Sequence, residues 1–116
     1  MASPTAAERA PVAPPRHVEL DVEVPNPQGM HAWPATLVAR VASKYGCDVT
    51  IRCGGQVVDA KEIIQLLGLD ARRGTKLTIA AHGADAQEAA EAVADLVRRG
   101  FDEMPEAPAD RGGGKP

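Results

Sequence analysis

The sequence predicts a two-layer α+β sandwich, in which one sheet of four strands is covered on one side by three helices. Three observations support this fold class. Four segments alternate apolar and polar residues as half-buried strands do, three segments place apolar residues at helical spacing, and the two kinds interleave along the chain. Elements that are each apolar on one face bury those faces most simply against one another.

The predicted strands are short and regular. In "HVELDVEV", residues 17–24, apolar side chains occupy every second position, which is the period of a half-buried strand. The turn "GG" at 54–55 predicts a tight hairpin between the second and third strands. Those two strands are "DVTIRC" at 48–53 and "QVVDA" at 56–60, and the fourth is "TKLTIAAHG" at 75–83.

The predicted helices cover residues 31–45, residues 62–69 and a segment that starts with Asp85 and Glu88 and closes at Gly100. Gly46 is predicted to end the first helix. In the second helix, Asp59 as the N-cap would place Glu62 three residues later, as in a capping box. The third helix has one apolar stripe, formed by Ala89, Ala90, Val93, Leu96 and Val97.

One folded domain is expected at residues 17–103, between a disordered N-terminal extension at 1–16 and a disordered C-terminal tail at 104–116. Both end segments are rich in Pro, Ala, Gly and charge, a composition that buries too little apolar surface to offset the entropy of ordering. No stretch has the pattern of a signal peptide or of a membrane span. The sequence therefore predicts a cytoplasmic protein that does not associate with membranes.

Composition argues against several function classes. A net charge of −3 and three aromatic residues give no basic, aromatic surface for nucleic acid. Cys47 and Cys53 fall on one predicted strand with Cα atoms about 20 Å apart, which is too far for a disulfide. With no second cysteine pair and no histidine nearby, no metal is expected. Nothing in the sequence calls for a cofactor or an oligomer, so a monomer is expected.

The stretch "PNPQGMHAWPA", residues 25–35, holds the residue with the clearest chemical potential. His31 falls where the first helix begins, and backbone amides at a helix start lack intrahelical acceptors while the helix dipole is positive there. A neutral imidazole in such an anion site can act as a nucleophile toward a phosphoryl group. On this ground alone, an ordinary surface histidine remains the simpler interpretation.

The wider pattern favours chemistry at His31. "NPQGMHAWPA" resembles the active-site segment of the HPr family of phosphocarrier proteins, and "DAKEIIQLLGLDARRGTKLTIAAHGADAQEAAEAVADLVRRGFDE" is similar to the second half of that family. "LLGLD" and "GFDE" are similar to its nitrogen-branch paralogue, NPr. The resemblance spans residues 17–103. It implies an open-faced two-layer sandwich, with a four-stranded antiparallel sheet and three helices on one face.

The resemblance also implies a role for each matching residue. His31 would accept a phosphoryl group from phosphorylated enzyme I, which is charged by phosphoenolpyruvate, and pass it to a downstream IIA-like acceptor protein. Gly29, Ala32 and Trp33 would surround the phosphate. Such a protein is a carrier in a phosphotransferase system and not a free-standing catalyst.

Trp33 departs from the family pattern, which has an arginine at this position. Loss of a charge-assisted hydrogen bond of about 1.5 to 3 kcal/mol predicts weakened transfer. Lys61 or a basic residue of a partner could compensate, and Trp33 could instead be an apolar docking residue. The alternative function is therefore a regulatory protein-binding module in which phosphotransfer is weak or lost. A third possibility is a plain interaction domain in which His31 is incidental.

The resemblance also implies docking and regulatory roles at further positions. Met30, Ile63, Ile64 and Leu67 match a surface that docks partner proteins, with Ile63 the first choice for an exposed position. Glu62 matches a serine through which some members are regulated by phosphorylation. An acidic residue in the first turn of a helix gains about 0.3 to 1 kcal/mol from the dipole, and we favour this explanation over a standing phosphoserine mimic.

Overall fold

The computed structural model describes residues 16–102, so the predicted disordered segments lie outside the described residues except for Arg16. The predicted order of elements is confirmed. The strands are β1 (His17–Glu23), β2 (Asp48–Cys53), β3 (Gln56–Asp59) and β4 (Lys76–His82). The helices are α1 (Ala32–Ala42), α2 (Ile63–Leu67) and α3 (Ala86–Arg98), and a 3-10 turn follows at Gly100–Asp102.

The sheet is antiparallel throughout, with strand order β1-β4-β2-β3. In register, β1 pairs with β4 from His17 opposite His82 to Glu23 opposite Lys76, and β2 pairs with both β4 and β3. The "GG" hairpin between β2 and β3 is therefore correct. β1 and β3 form the two edges of the sheet.

The core lies between the sheet and the helices. Alternation along each strand sends one set of side chains inward, among them Ile51 and Ile79, which are fully buried cross-strand partners. Burying one such side chain contributes about 1.5 to 3 kcal/mol. The predicted stripe of α3 is buried as well, and it packs on β1 and β4. The four-stranded, three-helix, open-faced α+β sandwich is thereby confirmed.

Polar pairs occupy the other face of the sheet. Arg52 contacts Glu19 at 3.4 Å, and His17 contacts the same carboxylate at 3.0 Å. The pKa of Glu19 is lowered, first by its hydrogen bond with His17 and then by the hydrogen bond and the positive charge of Arg52.

A further exposed pair lies at the end of α3. There the Arg99 side chain donates to Asp102 at 2.9 Å, which lowers the pKa of the Asp102 carboxyl. These exposed pairs fix local geometry and contribute little to stability.

Helix boundaries differ from prediction by one to three residues; α2, for example, ends at Leu67 and not at Leu69. α1 ends at Ala42, because Ser43 caps it and the following amides of Lys44 and Tyr45 turn to tighter, three-residue hydrogen bonds. The predicted capping box at Asp59 is wrong. Asp59 pairs with Thr50 as the last residue of β3. The helix α2 therefore begins at Ile63, with Glu62 as its N-cap.

None of the helices within residues 16–102 has the length and hydropathy needed to cross a membrane.

Candidate functional site

The loop between β1 and α1 is organised by Asn26, a polar side chain that is completely buried. Its amide Nδ2 donates to the carbonyl oxygen of Gly29 at 2.8 Å, and the Gly29 amide donates back to the Asn26 carbonyl oxygen at 3.1 Å. The loop therefore closes on itself before the chain enters α1. Sequence reasoning missed Asn26, although an asparagine in "PNPQG" is typical of a turn.

Gly29 holds this loop against a second one, the segment at 70–75 that precedes β4. Its φ is +69°, and a Cβ atom at this position would lie 2.4 Å from the carbonyl oxygen of Ala71 and 2.8 Å from Cα of Arg72. The next amide, of Met30, donates to that Ala71 oxygen at 2.7 Å. Glycine is thus required both by backbone conformation and by the close approach of a neighbouring backbone.

A second contact between the same two loops lies at their base. The Val24 amide donates to the Thr75 carbonyl oxygen at 2.9 Å, and the Gly74 amide donates to the Val24 carbonyl oxygen at 2.7 Å. The loop that carries His31 is therefore attached to the 70–75 loop at both of its ends. The nucleophile candidate lies on fixed backbone.

His31 is the N-cap residue of α1, with extended backbone dihedral angles of −121° and −165°. Its carbonyl oxygen accepts from the Ala35 amide at 2.9 Å, and its side chain does not cap the helix. The first turn of α1 contains no acidic residue. Pro34 has no amide hydrogen, so Ala32 and Trp33 supply the backbone donors that lack intrahelical acceptors. This arrangement favours an anion beside the imidazole.

The side chains that flank His31 leave this anion site open. Ala32 is exposed, and 49% of Trp33 remains accessible to solvent. An indole can donate one neutral hydrogen bond and brings no charge. Trp33 therefore offers an exposed, uncharged surface two residues from His31.

Lys61 is not placed to compensate for the missing arginine. Its Nζ donates to the carbonyl oxygen of Tyr45 at 2.9 Å, and its side chain shares a groove with Arg40 and Ser43 near the end of α1. At 1.5 Å of rise per residue, that end lies about 12 Å or more from His31. The compensating role considered for Lys61 is not supported by this geometry.

The predicted docking residues separate into two groups. Ile63, Ile64 and Leu67 lie on α2 with 38%, 78% and 37% of their surfaces exposed, so Ile64 rather than Ile63 is the most exposed. Leu66, between them, is fully buried and anchors the helix to the core. Met30 is 6% exposed and belongs to the core. Its burial conflicts with the docking role expected for it, because the chain turns inward between Gly29 and His31.

Glu62 is exposed and is itself the N-cap of α2, with no side-chain bond to the helix amides. The Asp59 carboxylate accepts from the Lys61 amide at 2.9 Å instead. Glu62 therefore places a negative charge next to the exposed residues of α2, although its side chain makes no capping hydrogen bond.

Comparison with known proteins agrees with the fold. The family model described as "PTS HPr component phosphorylation site" matches residues 18–99. The chain is 38% identical over 80 residues to "Phosphocarrier protein HPr" of Streptomyces coelicolor, which covers 68% of this chain and 86% of that protein. It is 39% identical over 87 residues to "Phosphocarrier protein NPr" of Klebsiella oxytoca, covering 74% and 97% of the two chains.

A solved structure extends this similarity to the backbone. "HPr-C-His" from Thermoanaerobacter tengcongensis superimposes with a TM-score of 0.72 at 32% identity, over 75% of this chain and 98% of the other. Residues 18–99, which the family model matches, include the three helices and the loop at 25–31. The chain belongs to the HPr family of phosphotransferase-system phosphocarriers.

Proposed function

We propose that this protein relays a phosphoryl group through His31. A ring nitrogen of His31 attacks the phosphorus held by a phosphorylated enzyme I-type donor. The new N–P bond forms as the donor's bond to phosphorus breaks, and the donor group keeps that electron pair. A IIA-like acceptor protein then removes the phosphoryl group by the same exchange in reverse, which regenerates the imidazole.

One observation carries this proposal: His31 is the N-cap of a helix whose first turn has no acidic residue. The phosphoryl group brings a charge of about −2, and it would meet the positive end of the α1 dipole and the amides of Ala32 and Trp33. The braced loop fixes the backbone that leads to His31. Positioning and electrostatic support are the main contributions that phosphoryl transfer requires from a protein.

The direct test is intact mass after incubation with enzyme I and phosphoenolpyruvate. We expect one acid-labile phosphoryl adduct on the wild type and none on His31→Ala. His82→Ala is the matched control, because His82 is exposed at the end of β4 and is not the N-cap of a helix; Asp85 caps the helix that follows it. An adduct that persists in His31→Ala, or that disappears in His82→Ala, would contradict the assignment.

The second candidate function is a regulatory binding module with weak or lost phosphotransfer. The exposed indole of Trp33 favours it, because this neutral group takes the place of a cation. Trp33→Arg separates the two functions in the same mass measurement. If the wild type stays unmodified with several enzyme I sources while Trp33→Arg accepts phosphate, the binding module is the better description.

We propose that the exposed residues of α2 dock the partner proteins. Ile64→Ala should weaken binding of enzyme I about tenfold, because a buried contact of this size is lost at the interface. Val57→Ala is the matched control, since Val57 is 61% exposed on the edge strand β3. The fluorescence of Trp33, the single tryptophan, measures both affinities. Equal affinity for the two variants would exclude α2 as the docking element.

Glu62 is proposed to act through the dipole of α2 and not as a phosphoserine mimic. Glu62→Ser would then leave the affinity for regulatory partners unchanged. A changed affinity that Glu62→Asp restores would favour the mimic. The protein is further proposed to act as a cytoplasmic monomer without metal or cofactor, which size-exclusion chromatography and cell fractionation can test.

A further inference from the structure

The first turn of α1 has no cation for a phosphoryl group, because Trp33 stands where the HPr family has arginine. We propose that Arg72, on the loop before β4, supplies this cation and binds the phosphoryl oxygens when His31 is phosphorylated. The inference rests on the proposed function, since it requires a phosphoryl group at His31.

Backbone proximity is the first support. Cα of Arg72 lies 2.8 Å from the position that a Cβ atom on Gly29 would take. Two steps of about 3.8 Å separate the Cα atoms of Gly29 and His31, so the Cα atoms of Arg72 and His31 lie within about 12 Å of each other. An extended arginine and a phosphorylated imidazole together span this distance.

The state of the Arg72 side chain is the second support. Its backbone is fixed, because the Arg72 amide donates to Oγ1 of Thr75 at 3.0 Å. Its guanidinium pairs with Asp70 at 3.3 Å, and 80% of the Arg72 side chain and 76% of the Asp70 side chain are exposed. Such surface pairs contribute about 0 to 1 kcal/mol, so a phosphoryl dianion can displace the carboxylate. The backbone of Arg72 is therefore fixed, while its guanidinium is free to exchange one anionic partner for another.

Other cations are less well placed. Arg40 lies nine residues beyond His31 along α1, which corresponds to about 13 Å of helix. Lys61 is bonded to the carbonyl oxygen of Tyr45. Arg73 shares the loop with Arg72, but the close contact with Gly29 is made by Arg72.

Arg72 takes no part in bond making. The N–P bond forms at His31 and the donor's bond to phosphorus breaks with its electron pair, while the guanidinium stays protonated throughout. Its charge and its paired N–H groups neutralise the equatorial phosphoryl oxygens. Arg72 would therefore stabilise the negative charge of the phosphoryl group bound to His31.

The test uses the full chain, loaded at His31 with phosphoramidate as a small chemical donor, and follows the phosphoryl group by phosphorus NMR across pH. Arg72→Gln should raise the second pKa of the phosphoryl group by about one unit, a tenfold change in its ionisation constant, because a nearby cation favours the dianion. Arg72→Lys should recover part of this shift. Phosphorylation by enzyme I should slow about tenfold in Arg72→Gln.

Two arginine variants serve as controls. Arg73→Gln removes the neighbouring charge, and Arg52→Gln removes an exposed arginine paired at 3.4 Å on the opposite face of the sheet. Both should titrate like the wild type. Thermal unfolding of each variant shows that the fold is retained. If Arg72→Gln titrates like the wild type, or if Arg73→Gln shifts as far as Arg72→Gln, the assignment to Arg72 is wrong.

The two proposals fail in different ways. If phosphoramidate loads His31 and Arg72→Gln shifts the phosphoryl pKa, but enzyme I never phosphorylates the chain, Arg72 is established and the relay is not. If enzyme I phosphorylates His31 and Arg72→Gln has no effect on the titration, the relay stands and the Arg72 assignment falls. A chain that neither donor loads at His31 contradicts both.

Discussion

Two helices of similar length begin in opposite ways. α3, with 13 residues, has Asp85 as its N-cap and Glu88 in its first turn, so its own carboxylates lie at the positive end of its dipole. α1, with 11 residues, has His31 as its N-cap and no acid in its first turn. The positive end of α3 thus lies near carboxylates of the chain itself, whereas the first turn of α1 has none. The two helix starts therefore differ in charge, and the proposed phosphoryl site lies at the one without a carboxylate.

The backbone that leads into α1 is correspondingly more constrained. Gly29 has both a positive φ and backbone neighbours closer than any side chain tolerates. Asn26 is buried to hold the turn. A surface loop would ordinarily avoid a buried polar side chain, because its desolvation must be offset by hydrogen bonds. The entry to α1 is therefore built for fixed geometry rather than for maximal stability.

The largest expected effect follows from Gly29→Ala. A positive φ costs a residue with a Cβ atom about 1 to 2 kcal/mol, and here the Cβ atom would also collide with the carbonyl oxygen of Ala71. We expect a loss of about 3 kcal/mol or more in the free energy of unfolding, measured by urea denaturation, and slow phosphorylation of His31.

Gly54→Ala isolates the collision from the backbone strain. Gly54 has a φ of +60°, and no atom lies within 4 Å of the position that a Cβ atom would take there. This variant should lose only about 1 to 2 kcal/mol and should accept phosphate at the wild-type rate. Equal losses in the two variants would show that the approach of the two loops does not constrain the site.

Asn26→Ala should have the next largest effect. It removes the donor to the Gly29 carbonyl oxygen in a buried place, which costs about 1 to 3 kcal/mol. Thr36→Ala is the matched control, because its Oγ1 donates a bond of equal length, 2.8 Å, to the exposed Ala32 carbonyl oxygen. Urea denaturation should show a smaller loss in that control. A loss in Asn26→Ala no larger than in Thr36→Ala would mean that the turn is held by other contacts.

Ala32→Glu converts the start of α1 into one like that of α3. The new carboxylate should add about 0.3 to 1 kcal/mol of stability through the dipole. Its repulsion of the incoming phosphoryl group should slow phosphorylation by enzyme I about five- to tenfold. Ala32→Gln has nearly the same shape without the charge and should change neither quantity by as much. If the Glu and Gln variants accept phosphate at the same rate, the electrostatics of this helix start do not assist transfer.

The smallest effect is expected for Glu88→Gln, which makes α3 more like α1. Loss of the carboxylate from the first turn should lower the free energy of unfolding by about 0.3 to 1 kcal/mol. Phosphorylation of His31 should not change, because α3 receives no phosphate. A lower rate of phosphorylation with unchanged stability would contradict the division of roles between the two helices.

The sequence predicted the strands best. The bounds of β2, Asp48–Cys53, agree residue for residue, because alternation and a glycine turn mark both ends of that strand. Helix ends were predicted less accurately than strand ends. The helical pattern continued to Tyr45, but the last amides of that stretch turn to three-residue bonds beyond Ala42. Apolar periodicity predicts which residues face the core. It does not predict which carbonyl oxygen accepts from each backbone amide, and this hydrogen bonding decides where a helix ends.

The candidate site was inferred from its motif, whereas the contacts that support its backbone were not predicted. His31 follows from the motif "GMHAWPA", and its place at the start of a helix follows from Pro34. The brace between Gly29 and Ala71 joins residues far apart in the chain, and no local pattern encodes such a contact. The same limit applies to the capping box considered at Asp59, because pairing with Thr50 keeps this residue at the end of β3 and Glu62 becomes the N-cap of α2.

The strand order has a consequence for the nascent protein on the ribosome. β1 pairs with β4, and the loop before β4 also braces the His31 loop, so these neighbours are complete only after translation has passed residue 75 for the loop and residue 82 for β4. Contacts of such long sequence separation form late, since the intervening chain must first be closed into a loop. The histidine is among the first residues of the fold to be synthesised, and the backbone geometry around it is among the last to be completed.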